Sequence, residues 1–151
     1  MEQQEEKLLG STILGWINCF IFGLFFLLLS LSVYMKATPQ DLVKVTEVLK
    51  ARQVVFDITF RQFKIACLYY AFFSSIFFIS GLGILLKKEW ARKLTIYFAL
   101  LIAILIFLSV LLVPGLISQA FLQIVYPGIL LLYFTNKNVE ARFKAARARA
   151  Q

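Results

Sequence analysis

Asn18, Gln119 and Gln123 are the only amide side chains within the segments of this chain that are apolar enough to span a membrane, and they set the range of chemistry open to it. Gln119 and Gln123, four residues apart, fall on one helix face, and Tyr126 adds a hydroxyl about one turn further on. With Asn18 they could form a polar track that lines a ligand pocket or a water-filled crevice. The plainer alternative is that each amide hydrogen-bonds across a helix interface, which contributes about 1 kcal/mol or less in a membrane. Pro127-Gly128 follows directly, removing a backbone donor and loosening the helix there.

Two cysteines, Cys19 and Cys67, invite a redox reading that geometry weakens. Counted along helices that start at opposite faces of a bilayer, their depths differ by roughly 10 Å, whereas a disulfide needs Cα atoms within about 7 Å. No Cys-x-x-Cys pair occurs and the chain has no histidine, so a zinc site, a haem ligand and a His-based nucleophile are all unsupported. The expectation is therefore a non-enzymatic protein with no catalytic residues, no metal and no cofactor. An enzyme acting on lipid would have to rely on interfacial acids such as Glu89 or Asp57.

The elements that must carry these residues follow from the charges. Lys7 and Lys36, Lys64 and Lys87, and Lys93 and Lys137 bracket three runs that contain no charged residue. A hydrocarbon core of roughly 30 Å takes about 20 helical residues to cross, so the first two runs provide one span each and the third provides two. Pro114-Gly115 divides the third run near its middle. The prediction is an all-α polytopic membrane protein, a four-transmembrane-helix bundle forming one membrane domain over 1–151, with spans at about 8–34, 65–86, 94–113 and 116–134. Composition agrees, with 61% apolar and 16% charged residues. Without an acid, base or histidine inside a span, the usual markers of an ion path or proton relay are missing. The leader, with Glu2, Glu5 and Glu6 against Lys7, lacks the basic start of a signal peptide, so the first helix is expected to be retained.

Four spans place both termini and the link between the second and third spans on one side. That side holds ten of the 16 Lys and Arg, including Lys87, Lys88, Arg92 and Lys93 in a short link. Positive charge in short loops marks the cytoplasmic face, so both termini are expected to be cytoplasmic in a multi-pass protein of the cell membrane. The net charge of +8 then points to topology and anionic lipid rather than nucleic acid.

The loop over 36–64 has room for structure of its own. Thr38-Pro39-Gln40-Asp41 reads as a helix start. From there Leu42, Val45, Val48, Leu49, Val55, Phe56, Phe60 and Phe63 share one arc opposite Lys44, Glu47, Lys50, Asp57, Arg61 and Lys64. That predicts an amphipathic helix in the first extracytoplasmic loop, with a break near Arg52, serving as cap, lid or docking surface. The alternation of Phe56, Ile58 and Phe60 with Asp57, Thr59 and Arg61 is the rival strand reading. Asp57 and Arg61 are spaced for an exposed helical ion pair.

In the first span Ser11, Gly15, Cys19 and Gly23 repeat at four-residue intervals, giving a groove for close helix packing either within the bundle or against a second copy. Cys67, Ala71 and Ser75 offer the second helix a matching face, and Ser80-Gly81-Leu82-Gly83 would let the basic link approach closely. Trp90 among Lys87, Lys88, Arg92 and Lys93 is expected to anchor the bundle at the lipid headgroups. A tail over 136–151, capped by Asn136 or Asn138, restarts a helix with Val139 and Phe143 on one side and Arg142, Lys144, Arg147 and Arg149 supplying charge. It is expected to lie along anionic lipid, or to dock on a protein.

The Gly81 to Arg92 segment, a Gly-x-Gly helix end leading into a basic Trp-Ala-Arg turn, and the Leu132-Tyr133-Phe134-Thr135 exit followed by Val139 and Phe143 resemble small bacterial or archaeal four-helix membrane proteins of unknown function. The resemblance covers the last half of the chain. Where those proteins often carry a proline before the valine, this chain has Asn138. The resemblance implies the fold and no activity. The leading expectation is an interaction, accessory or structural subunit, with lipid and a membrane-protein partner or further copies of itself as partners. A channel or transporter component that works as an oligomer is the alternative.

Overall fold

The computed structural model describes the backbone of residues 2–51, 58–112 and 117–148, and side chains from residue 9 onward within those ranges except at 49, 112, 117–120, 122 and 147. The first helical rod comprises α1 (Glu2–Trp16), a π-helical segment (Ile17–Phe25) and α2 (Phe26–Lys36). The rod is unbroken, since Trp16 and Phe26 at the two joints both keep right-handed helical dihedrals. It is followed by α3 (Pro39–Ala51), α4 (Phe60–Leu85), α5 (Glu89–Leu112), α6 (Ile117–Phe134) and α7 (Lys137–Ala148). All regular structure among the described residues is helical. Among the described residues, three helices are long and apolar enough to cross a membrane: Leu9–Lys36 of the first rod, α4 and most of α5. The described, strongly apolar part of α6, Gln123–Phe134, is shorter.

Local chemistry explains the element starts. Thr38 caps α3, with Asp41 Oδ2 accepting from the Thr38 backbone N–H at 2.9 Å and from its hydroxyl at 2.7 Å. These bonds to Thr38 hold the Asp41 carboxyl below the ordinary aspartate range. Helix α4 begins at Phe60, earlier than the expected 65, because Thr59 and Gln62 form a reciprocal capping box. Gln62 Oε1 accepts from the Thr59 N–H at 2.8 Å, and Thr59 Oγ1 accepts from the Gln62 N–H at 3.3 Å. Phe60 and Arg61 are therefore helical rather than part of a strand. The expected break near Arg52, the apolar Val55 and Phe56, and Asp57 of the suggested ion pair lie outside the described residues, as does Pro114-Gly115. Asn136 caps α7, its Oδ1 accepting from the Asn138 N–H at 2.9 Å.

Rod one packs along α4, α4 packs on α5, and α5 lies against α6. Their turns define a basal end, where the α4–α5 turn and α7 sit, and a distal end, where α2 stops and α4 starts. The core belongs to the basal half: Phe77, Ile84, Ala91, Phe98, Ala99, Leu130, Phe134, Val139 and Phe143 form one buried cluster. Towards the distal end burial is pairwise. Cys67, Ala71 and Ser74 of α4 are buried, while α5 has no buried residue beyond Ala99 among those described. Lys64 ties the first pair at its distal end, its Nζ 5.3 Å from the Tyr34 ring centre and 5.2 Å from that of Phe60.

Candidate functional site: a buried amide pair and a basic end

The π-helical segment is the most unusual element of the chain and it carries Asn18. A π-helix bonds i to i+5 and rarely exceeds a single turn, yet here it runs for nine residues, with Asn18, Cys19 and Gly23 buried. Glycines fit this segment to α4. A Cβ on Gly23 would lie 2.6 Å from Phe78 Cα, and one on Gly81 would overlap the Cys19 backbone nitrogen and lie 2.8 Å from Cys19 Cα. Backbone thus meets backbone twice. Gly15 faces Ile84 and Leu85 of the same helix. Ser11 takes a different partner, hydrogen-bonding Tyr133 of α6. Of the four small residues expected on one packing face, Gly15, Cys19 and Gly23 accordingly meet α4 within the same chain.

Asn18 is fully buried, and its Oδ1 accepts a short hydrogen bond from the Tyr126 hydroxyl. Phe22 stacks on Tyr126 with ring centres 4.1 Å apart, and Phe77 lies 6.4 Å from Tyr126 and 5.7 Å from Phe22. The amide nitrogen of Asn18 has no hydrogen-bond partner among the described residues. Two members of the expected polar track are thereby joined. Gln123 is exposed, and the Gln119 side chain lies outside the described residues. Pro127, which has no N–H, leaves the Gln123 carbonyl without its helical donor. The π-helical segment escaped sequence reasoning because i to i+5 bonding draws on the same residue types as an α-helix.

At the basal end, Arg92 departs from its expected role. It is only 5% exposed and turns inward rather than towards headgroups. Its Nη1 donates to the Phe134 carbonyl at 2.8 Å, and its Nη2 lies 3.7 Å from Glu140 Oε1. The guanidinium thus fills the gap left by the orphan carbonyls at the end of α6 and holds the start of α7. Val139 and Phe143 are buried against the same core, with the Phe143 ring 6.3 Å from Phe134. The apolar side of the tail is consequently packed into protein, not laid on lipid. Glu140 also accepts from Lys144 at 2.7 Å, and the Lys144 bond and charge, helped by Arg92, hold its carboxyl below the usual glutamate range.

Around this clamp Lys87, Lys88, Trp90, Lys93 and Lys144 are exposed, Lys93 pairing with Glu89 at 3.3 Å. Arg142 is half-buried, Arg147 has no described side chain, and Arg149 lies outside the described residues. The α4–α5 turn is tight: a Cβ on Gly83 would collide with Ala91 and sit 2.9 Å from the Trp90 ring. Lys87 adopts φ 54°, and the N–H groups of Lys87 and Lys88 reach the carbonyls of Ile84 and Gly83 at 2.9 and 2.8 Å. This is the helix-ending geometry in which glycine is the ordinary occupant of the left-handed position. A lysine there costs about 1 kcal/mol. No protein-family model, no curated protein and no solved structure matches the chain.

Proposed function

We propose that the protein is a four-span membrane protein that works without catalysis, as an interaction or accessory module whose docking surface is its basal basic end. The observation that carries this reading is the Arg92 clamp, which fixes α7 against the start of α5 and the end of α6, next to the turn that carries Lys87 and Lys88. A tail meant only to contact lipid would need no buried arginine to hold it. The left-handed lysine at position 87 supports the same reading, because the turn keeps a cation where glycine would be easier.

The membrane arrangement that accompanies this reading makes α6 the fourth span, antiparallel to α5 and about 27 Å long at 1.5 Å per residue. It places both termini on the cytoplasmic side, since cations cluster at the basal end. Cross-linking in native membranes, followed by purification in mild detergent, tests the function. A heterologous partner captured through the basal end, and lost on Lys87→Glu with Lys88→Glu, is the expected result. A symmetric ring of copies, with ion or solute flux in liposomes that disappears on Gln123→Leu, would overturn it in favour of a pore.

A further inference from the structure

We infer that α3 is a membrane-surface helix, lying in the distal leaflet at the boundary between headgroups and acyl chains with Val45 and Val48 inserted into lipid. The inference requires that rod one and α4 span a bilayer, and it is independent of what the basal end binds.

The first support is position. Leu9–Lys36 has 28 residues, about 42 Å of helix at 1.5 Å per residue, against roughly 40–45 Å for a bilayer with its headgroups. Lys36 therefore ends rod one in the distal headgroup layer. Near that end the Lys64 ammonium lies over the rings of both Tyr34 and Phe60, and aromatic rings and cations together are what anchors a helix at a membrane interface. Ala37 leaves the helical path with ψ 134°, and Thr38 already caps α3. Only these two residues separate the span from the next helix. Beside the bundle itself, the bilayer surface is the nearest apolar medium for a helix tethered so closely.

The second is an apolar arc that protein covers on one side. Leu42, Val45 and Val48 follow at three-residue steps, each turned about 60° from the last. Leu42 is partly covered, Val45 is 37% exposed and Val48 56%. The arc thus emerges from protein while it stays apolar. Helix α3 packs on α4, and neither α5 nor α6 approaches it comparably among the described residues. It is accordingly no lid across the end of the bundle. Lys44, Glu47 and Lys50 form the polar arc and are exposed, with Val43 among them.

The third is charge. Asp41 and Glu47 balance Lys44 and Lys50, so α3 has no net charge with which to seek an anionic surface. Its attachment comes from removing valine side chains from water, while the lysine stems reach from the same level to the aqueous side. The occupant of the open arc is therefore the lipid boundary whatever its headgroup charge. The basal leaflet receives no equivalent insertion, since Val139 and Phe143 of α7 are buried in protein.

The experiment uses full-length protein in phosphatidylcholine vesicles, with a nitroxide attached in turn to Val45→Cys, Val48→Cys and Glu47→Cys. All three positions are exposed, so the labels do not disturb packing. Cys19 and Cys67 are buried, and unsubstituted protein is the labelling blank. Collisions with oxygen, which concentrates in lipid, are compared with collisions with a water-soluble nickel chelate. The oxygen-to-nickel ratio should be several-fold higher at Val45→Cys and Val48→Cys than at Glu47→Cys, and unchanged by high salt or added phosphatidylglycerol. Nickel-dominated collisions at all three positions would put α3 in water and overturn the inference. Shielding of positions 45 and 48 from both reagents would overturn it too, because protein, such as a second copy, would then cover the arc. A ratio that rises only with phosphatidylglycerol and collapses in high salt would replace apolar insertion by electrostatic adsorption, the third refuting result.

Discussion

Replacing Gly81 by alanine should separate rod one from α4, and the structure sets the size of the effect. The new Cβ would overlap the Cys19 backbone nitrogen and sit 2.8 Å from its Cα and 2.9 Å from its Cβ. Ordinary contact begins near 3.5 Å, so the helices must move apart by about 0.7 Å or more, and none of the three obstructing atoms is the end of a flexible side chain. Overpacking costs typically 1–3 kcal/mol, and a backbone-to-backbone clash belongs at the upper end. Separation also loosens the Gly23–Phe78 approach, because both contacts lie on the same crossing. Alanine gains up to about 1 kcal/mol in intrinsic helix preference over glycine, which leaves a net loss of about 2 kcal/mol, or roughly thirtyfold in the unfolding equilibrium at 1.4 kcal/mol per decade. Gly128→Ala is the internal control. Nothing lies within 4 Å of its Cβ position, so only the favourable preference remains. Unfolding of both variants in mixed micelles by increasing SDS, followed by circular dichroism, measures the difference. Equal stability of Gly81→Ala and Gly128→Ala would refute the close crossing, and with it the account of why the π-helical segment sits where it does.

Arg92→Met should leave the Phe134 carbonyl without its charged donor and release α7. Hydrogen bonds to charged groups contribute about 1.5–3 kcal/mol, so amide exchange across Val139–Phe143 should accelerate by about tenfold or more, with α4 unaffected. Because the Glu140 carboxyl is held below its unfolded value, its contribution to docking is fully present above about pH 4.5 and is lost as pH falls through the lower folded value. A spin label on α7 should therefore gain mobility as the pH falls below about 4.5, and a Glu140→Gln variant should lose that pH response. Lys87→Gly should raise stability by about 1 kcal/mol by relieving the left-handed lysine, while weakening any partner captured through the basal end. Thr59→Ala should lower stability by about 1 kcal/mol, read as faster exchange of the Gln62 and Phe63 amides.

The sequence makes the long helices legible because charge is excluded from hydrocarbon whatever the packing. The expectations of helix from Thr38 to Asp41 and of a restart capped by Asn136 rest on side chains that bond to their own neighbours, so local chemistry suffices. The start of α4 at Phe60 is legible too, since Thr59-Phe60-Arg61-Gln62 has capping-box spacing. What could not be read is whatever depends on a distant partner. Arg92 looks like any headgroup cation until α6 ends beside it. Asn18 looks like an isolated amide until Tyr126 reaches it from 108 positions away. The small-residue repeat announced a packing face without saying which member would part from the rest, and Ser11 pairs with Tyr133 while Gly15, Cys19 and Gly23 follow α4.

Arg92 precedes Phe134 by 42 positions and Glu140 by a few more. On a ribosome, it emerges well before either partner has been made. During that interval it is a free cation at the edge of a nascent span, able to hold the edge at one side of the bilayer. Once α6 and α7 arrive, the same guanidinium withdraws from the water and becomes a fastener inside the protein. One residue can thus serve first as a topology signal and then as a latch, and a substitution such as Arg92→Lys, which preserves charge but not the two-pronged reach, would separate the two duties in time.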